Sequence, residues 1–330
     1  MTGGRRELSD NLTAIVEGGV PRRKLFLPLL HAVASQIKKE AIRPFLTNPT
    51  KMTAGLAALH ASLGTDCLFA SCAALIEAEA LGAQLDWSSY PPQLVQSDLA
   101  PSAIGAMRLE QALRSARVVA AAETCRRLNM TLPCGAAVGA ALTGPMRLAK
   151  ELFGDCARSD RVSRQEYVVA DLDASGQVVL AFANRFLEVG ASVIVLLEKI
   201  VDQDRSPRTI GAWADVMAPM VNLAAFHRVP VVVLLEVPAD FVITPELGDV
   251  SARCILVSND RLQANSSSHA FPTAVDTFIE PNDTLRENCC VVLTRAEVPL
   301  ETDIARLSHW TKRWRSMLDA RSLPQTGAER

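Results

Sequence analysis

GASVIVLLEKIVDQDRSPRTIGAWADVMAPMVNLAAFHRVPVVVLLEVP, residues 190–238, decides the fold class. Two runs dense in Val, Ile and Leu, residues 191–197 and 229–235, flank a stretch of helical composition over residues 210–226. Apolar runs without polar alternation are strands buried on both faces, and a helical connection of this length joins parallel neighbours.

The same alternation extends in both directions. Short apolar runs at 25–30, 67–71, 132–138, 253–257, 276–279 and 289–293 are the other strand candidates. Helical stretches fall at Pro49–Leu63, 73–81, 102–128 and 163–189, with a last helix starting near Thr302. Asn48 caps the helix at Pro49 and Gly82 closes the helix at 73–81. The turn Thr143-Gly144-Pro145 launches a further helix toward Gly154. The count approaches eight strand–helix units, so residues 1–321 read as one α/β domain, a (β/α)8 TIM barrel, followed by a polar tail at 322–330. Runs 132–138, 191–197 and 229–235 are expected as adjacent parallel strands. A doubly wound sheet is the alternative, but no GxGxxG follows the first strand to support it. Region 239–284 has few helical signals.

Composition narrows the function. The chain has 330 residues, 49% of them hydrophobic and only 5% aromatic, so its core is built from Ala, Val, Leu and Ile. A formal net charge of −2 gives no support to nucleic-acid or anionic-membrane partners. The eight cysteines form no CxxC pair, several lie inside apolar runs, and they read as buried free thiols. The N-terminus MTGGRRELSDNL lacks a signal-peptide core, and no apolar run approaches the ~20 residues that span a bilayer. A soluble, cytoplasmic protein is expected.

Four segments carry a family resemblance. LIEAEALGAQLDW (75–87), TGPMRLAKELFG (143–154), GASVIVLLE with SPRTIGAWADVMAPMV (190–198 and 206–221), and the opening ELSDNLTAIVEGGVPRRKLFLP (7–28) resemble, in order and spacing, the uroporphyrinogen decarboxylase superfamily. Within it they are most similar to the cobamide-dependent methyltransferases. The resemblance covers roughly residues 7–236 and implies the barrel fold.

The polar residues depart from both branches. The decarboxylase branch has an Arg-rich loop after strand one and an Asp ending strand two; here these places hold HAVASQ (31–36) and about Ala73. A substrate bearing eight carboxylates needs a basic mouth, so decarboxylation of uroporphyrinogen is disfavoured. The methyltransferase branch binds zinc through a His-x-Cys after strand five and a Cys near the last strand. This chain reads VVVLLEVPADF (231–241) and VVLTRAEVPLE (291–301) there, so no zinc set of that kind is expected.

Carboxylates recur at the C-terminal ends of the strand candidates, where barrel active sites form: Glu198, Glu236, Glu280 and Glu297. Glu198 matches the acid that the family carries after strand four. With His31, which ends strand one, Glu198, Glu236 and Glu297 are the expected lining of the pocket, Glu198 foremost. The bland alternative pairs each acid with a neighbour such as Lys199 or Arg295. Cys72 reads as an inert buried thiol, and Glu77 and Glu79, two apart on a helix, do not share a face.

Two functions follow. The first is a divergent methyltransferase-like enzyme acting on a small molecule, with no tightly bound cofactor of its own. The chain lacks an Asp-x-His-x-x-Gly cobamide signature, so any corrinoid would arrive on a separate protein. The second is a non-catalytic paralogue that partners an active family member. A homo- or heterodimer is compatible with either, and neither involves nucleic acid or membrane.

Overall fold

A computed structural model describes residues 3–17, 19, 21–132, 136–154, 164–201, 205–238, 253–258, 271–276, 278 and 289–319. In chain order its elements are α1 (Gly3–Val16), β1 (Leu25–Leu27), α2 (Ala34–Ile37), α3 (Ile42–Leu46), α4 (Pro49–Leu63), β2 (Cys67–Cys72), α5 (Ile76–Ala80), β3 (Gln84–Asp86), β4 (Gln93–Gln96), α6 (Ala106–Leu113), α7 (Ala116–Thr131), β5 (Ala137–Thr143), α8 (Pro145–Phe153), α9 (Arg164–Glu188), β6 (Ile194–Lys199), α10 (Pro207–Phe226), β7 (Val231–Glu236), β8 (Ile255–Ser258), β9 (Phe271–Val275), β10 (Cys289–Thr294) and α11 (Ile304–Asp319).

Eight of the strands run parallel in two ladders, β2-β5-β6-β7-β8 and β1-β10-β9. β8 packs beside β9 and β1 beside β2, which orders all eight in a ring. The first strand pairs with the last, Leu25 against Val291 through Leu27 against Leu293. A doubly wound sheet keeps its outermost strands as edges, so this pairing selects the TIM barrel.

Period-2 alternation divides the apolar residues into two cores. Val195 and Leu197 of β6, and Val193 just before it, point inward with Val232 and Leu234 of β7 and Leu293 of β10, and Leu8 and Leu12 of α1 close that interior. Ile194 and Leu196 point outward onto the helices, beneath Phe182, Phe186, Trp213 and Met217. At the β1–β2 seam the Asp66 carboxylate accepts the Phe26 N–H at 2.7 Å while Asp66 N donates to Phe26 O at 3.3 Å. Arg23 and Arg315 bind the same carboxylate at 2.6 and 2.9 Å, so a buried ion pair stands where a ladder would run.

Local signals did what their chemistry dictates. Asn48 Oδ1 accepts from Thr50 N and Lys51 N at 3.1 Å, Pro49 opens α4, and Gly64 ends it at φ 63°. β5, β6 and β7 are adjacent and parallel, as read from the sequence.

Other elements differ from the sequence reading. β5 begins at Ala137 rather than 132, because α7 runs to Thr131 and Leu132 is its cap. The helix read over 102–128 is broken at Gly105 and Ser115 into a short 3-10 turn, α6 and α7. Residues 73–75 are left-handed rather than helical, and α5 starts only at Ile76. The ninth strand is Phe271–Val275, just before the run read at 276–279. An antiparallel β3–β4 hairpin lies where no strands were read. α10 spans 20 residues and is apolar enough by composition to cross a bilayer, yet Ile210, Trp213, Met217, Met220 and Ala224 are buried against the barrel. The polar tail and most of 239–284 lie outside the described residues.

Candidate functional site

The C-terminal strand ends form the mouth, and the glutamates there fall into two sectors. The first is built by β1, β2 and β10. After β1 the chain stays in register with β10: Leu29 N donates to Thr294 Oγ1 at 2.9 Å and Val298 N to Leu29 O at 2.8 Å. This holds His31 and Glu297 side by side, with His31 Nδ1 at 4.0 Å from Glu297 Oε1. Ala32 N donates to Glu297 Oε1 at 2.5 Å, and the Tyr90 hydroxyl, from the loop between β3 and β4, donates to Oε2 at 2.6 Å.

Among the described residues Glu297 thus has two neutral donors and no cation bound to it. Burial pushes its carboxyl up to about 7, against the opposing hydrogen bonds from Tyr90 and Ala32 and the nearby charge of Arg117. An acid with that value exchanges protons at neutral pH, the property a general acid or base requires. Burial, helped by the positive charge of Arg117, drives His31 down to about 3, so its ring is neutral. His31 Nε2 is buried and has no hydrogen-bond partner among the described residues. Burial raises the Tyr90 hydroxyl, and Glu297 beside it adds to the effect, so Tyr90 remains a donor. Burial also pushes the Cys72 thiol well up, with a smaller contribution from Glu297, which leaves it a poor nucleophile.

Arg117 supports this sector. Residues Ala73, Ala74 and Leu75 have φ of 42°, 48° and 58°, three consecutive non-glycine residues in the left-handed region. Such backbone costs roughly 1–3 kcal/mol per residue and persists only where surroundings hold it. The Arg117 guanidinium holds it, donating to Ala74 O at 3.2 Å and to Glu79 Oε2 at 2.7 Å while lying 5.0 Å from the Trp87 ring centre.

The second sector is built by β5, β6 and β7. Glu77, fully buried, accepts from Thr143 N and Thr143 Oγ1, both at 2.9 Å. Glu198 is 2% exposed and accepts from Met146 N at 3.0 Å, Arg147 N at 2.7 Å, Lys199 N at 2.9 Å and Trp213 Nε1 at 2.8 Å. It occupies the N-terminus of α8 as an internal anion, where the first-turn N–H groups favour negative charge. Burial nonetheless holds the Glu198 carboxyl above its ordinary range. Gly144 makes the approach possible, since a Cβ there would stand 2.6 Å from the Glu198 carboxyl carbon. Glu236 is exposed at the rim and pairs with Lys199 at 2.6 Å.

Of the four residues expected to line one pocket, the structure brings His31 and Glu297 together. Glu198 and Glu236 lie on neighbouring strands in the other sector, one enclosed and one exposed. Glu280 lies outside the described residues. Arg295, weighed as a partner for a mouth acid, pairs with Asp276 at 3.5 Å. Sequence reasoning missed Tyr90, Arg117 and Trp87. The one available signal was composition, since Tyr90 is one of only two tyrosines in the chain and follows Trp87 closely.

Where the resemblance would put zinc ligands, the ends of β7 and β10 offer Glu236, already paired with Lys199, and Glu297, already bound by Tyr90 and Ala32. Neither sector supplies a thiolate, and among the described residues no three His, Cys, Asp or Glu converge as a metal site. The residues present do not fit a thiolate–imidazole zinc centre.

A parallel TIM-type barrel with its ionisable residues at the C-terminal mouth is the class of protein defined so far. Residues 9–210, more than half the chain, match the uroporphyrinogen decarboxylase (URO-D) family, and the chain belongs to that family. Among solved structures it is similar to a methyltransferase from Methanosarcina mazei, with 15% identity, a TM-score of 0.64, and coverage of 95% of this chain and 98% of that one. A homocysteine methyltransferase from Escherichia coli is more distant, with 12% identity, a TM-score of 0.38, and coverage of 88% and 96%. A 2,3-dimethylmalate lyase stands at 10% identity and a TM-score of 0.40, covering 100% of this chain and 89% of that one. No curated protein matches the sequence.

Proposed function

We propose that the chain is a divergent methyltransferase-like enzyme acting on a small molecule, with Glu297 as its acid–base residue. The observation that carries this is the buried Glu297 carboxyl, held by Tyr90 and Ala32 beside a neutral His31, with its proton affinity raised to about 7. A buried acid without a bound cation is costly, and such groups concentrate at working sites. The likeness to the M. mazei methyltransferase supports methyl transfer as the reaction class. A corrinoid on a separate protein would supply the methyl group.

The chain's own residues would then do what zinc does in the resembling enzymes, by a different route. As the acceptor atom forms its bond to the methyl carbon, Glu297 takes the proton that atom releases. The electron pair of the broken methyl bond stays with the donor. Tyr90 and Ala32 N hold the carboxylate in place, and the neutral His31 Nε2 can engage the acceptor's hydrogen-bonding group.

The test is methyl transfer between a corrinoid and a panel of small thiols, amines and alcohols, followed by the corrinoid's absorbance. Glu297→Gln should reduce the rate about 100-fold or more with the thermal melt retained. Equal rates for the variant and the parent would sink the assignment.

A second reading, a non-catalytic partner of an intact family member, draws on Glu198, whose acceptor positions are filled by protein donors. Co-expression with an intact paralogue from the same genome separates the two. A stable complex, together with a chain inactive toward every acceptor, favours the partner reading.

A further inference from the structure

The loop that brings Tyr90 to Glu297 belongs to an element the barrel holds loosely. β3 and β4 pair with each other and with no other strand among the described residues. Gln84, Asp86, Gln93, Val95 and Gln96 are exposed. A two-stranded hairpin without further strands is marginal by itself, and moving elements are drawn from such low-stability parts. Its base is fixed, since Ser97 Oγ donates to Leu152 O of α8 at 2.7 Å. Gly82, at φ 101°, leads into it with the least restricted backbone a residue can have.

Polar groups tie the tip down. The Tyr90 hydroxyl donates to Glu297 Oε2 at 2.6 Å. Trp87 is clasped by two guanidinium groups, with Arg117 Cζ 5.0 Å and Arg43 Cζ 5.5 Å from its ring centre. Asp86 accepts from Ser88 N and Oγ, both at 2.8 Å, so its charge is turned into the hairpin. With the tip down the Glu297 side chain is 12% exposed, and its two oxygens are bound to Ala32 N and Tyr90. Ala32 belongs to the barrel, so the oxygen that can be freed for an acceptor is the one under Tyr90.

We propose that the β3–β4 hairpin is a lid on the Glu297 sector, latched by Tyr90 and lifted when the Glu297 carboxyl becomes charged. Burial raises that carboxyl to about 7 and outweighs the Tyr90 bond that opposes it. A lifted tip returns water and removes the larger effect, so the open form binds the proton less tightly than the closed one. Rising pH through about 7 therefore favours the open lid. The groups facing Glu297 do not share that step. Burial holds His31 at about 3 and pushes Tyr90 and Cys72 up, and Arg117 is paired with Glu79. The lid thus admits an acceptor in the state in which Glu297 can take its proton. The inference rests on the reading of Glu297 as the acid–base residue and adds how that acid is reached.

Acrylamide quenching of tryptophan fluorescence in the full chain reads the lid without any turnover. Of the four tryptophans, Trp213, Trp310 and Trp314 are at most 2% exposed, so this neutral quencher reports on Trp87. Quenching should rise as the pH goes from about 5.5 to about 8.5. Glu297→Gln, neutral throughout and still an acceptor for Tyr90, should remove the rise. Tyr90→Phe deletes a hydrogen bond to an ionised group, favours the open lid roughly tenfold, and should quench more than the parent. Thermal melts are the folding control, and if Tyr90→Phe proves unstable the parent and Glu297→Gln still decide. Quenching that is flat with pH in the parent, or that keeps its rise in Glu297→Gln or in Trp87→Phe, overturns the lid. A pH-driven lid on a protein that transfers no methyl group overturns the Glu297 assignment instead, so the two failures are distinguishable.

Discussion

Glu198 and Glu297 are the same residue type at the same kind of place, the C-terminal end of a barrel strand, and the protein treats them oppositely. Around Glu198 it converges four donors, one of them an indole and two from a helix start, so the acid is spent on holding α8 and α10 to β6. Around Glu297 it supplies two donors, the Ala32 N–H and the Tyr90 hydroxyl, with a neutral His31 alongside, and burial leaves the proton affinity near neutrality. The number and kind of donors that reach a carboxylate separate a brace from a reagent, and strand position does not.

The largest effect expected from breaking this contrast is at the brace. Glu198→Ala strands three backbone N–H groups and the Trp213 indole in the interior, and should cost on the order of 4 kcal/mol in urea unfolding. A loss below 1 kcal/mol would show that water replaces the carboxylate and that Glu198 is no brace.

Next comes a pH dependence at Glu297. Its folded value near 7 lies above the unfolded value of roughly 4.3, so the favourable contribution is complete below pH ~4.3 and is lost as pH rises through 7. The span is about 4 kcal/mol. Nearby His31 runs the other way. Its folded value is depressed to about 3, so its contribution is present above roughly 6.5 and is lost as pH falls. The two slopes oppose each other between about pH 4.3 and 6.5, so only the difference between parent and Glu297→Gln isolates the acid. That difference should shift in favour of the parent on going from pH 8 to pH 4.5. A flat difference would place Glu297 among ordinary carboxylates.

The smallest effect sharpens the contrast from the solvent side. Glu236→Gln removes an exposed partner of Lys199 and should change stability by less than about 0.5 kcal/mol, measured by the same unfolding. A larger loss would mean that the rim pairs are structural.

Much of the barrel was legible because its signals are local. Apolar runs such as IVLL and VVVLL bury on both faces wherever they sit, and Asn48-Pro49 starts a helix through its own side chain and ring. The hairpin between Gln84 and Gln96 was not legible, because QLD and QLVQ are short and polar and owe their pairing to the barrel beside them. The break at Ser115 and the left-handed turn at Ala73–Leu75 were hidden for the same reason. The turn is held by Arg117 reaching Ala74 O and Glu79, a contact spanning some forty positions of the chain.

The sequence by itself determined the family, the parallel strands and the presence of acids at the mouth, because hydrophobic periodicity and turn chemistry act over a few residues. Tertiary structure alone decided which acid does what. Glu198 became a brace because α8 and Trp213 pack over it. Glu297 kept an available proton because folding buries it, against the opposing hydrogen bonds that Tyr90 and Ala32 bring from distant segments. Proton affinity is set by burial and by the partners that folding delivers, and no run of neighbouring residues encodes it.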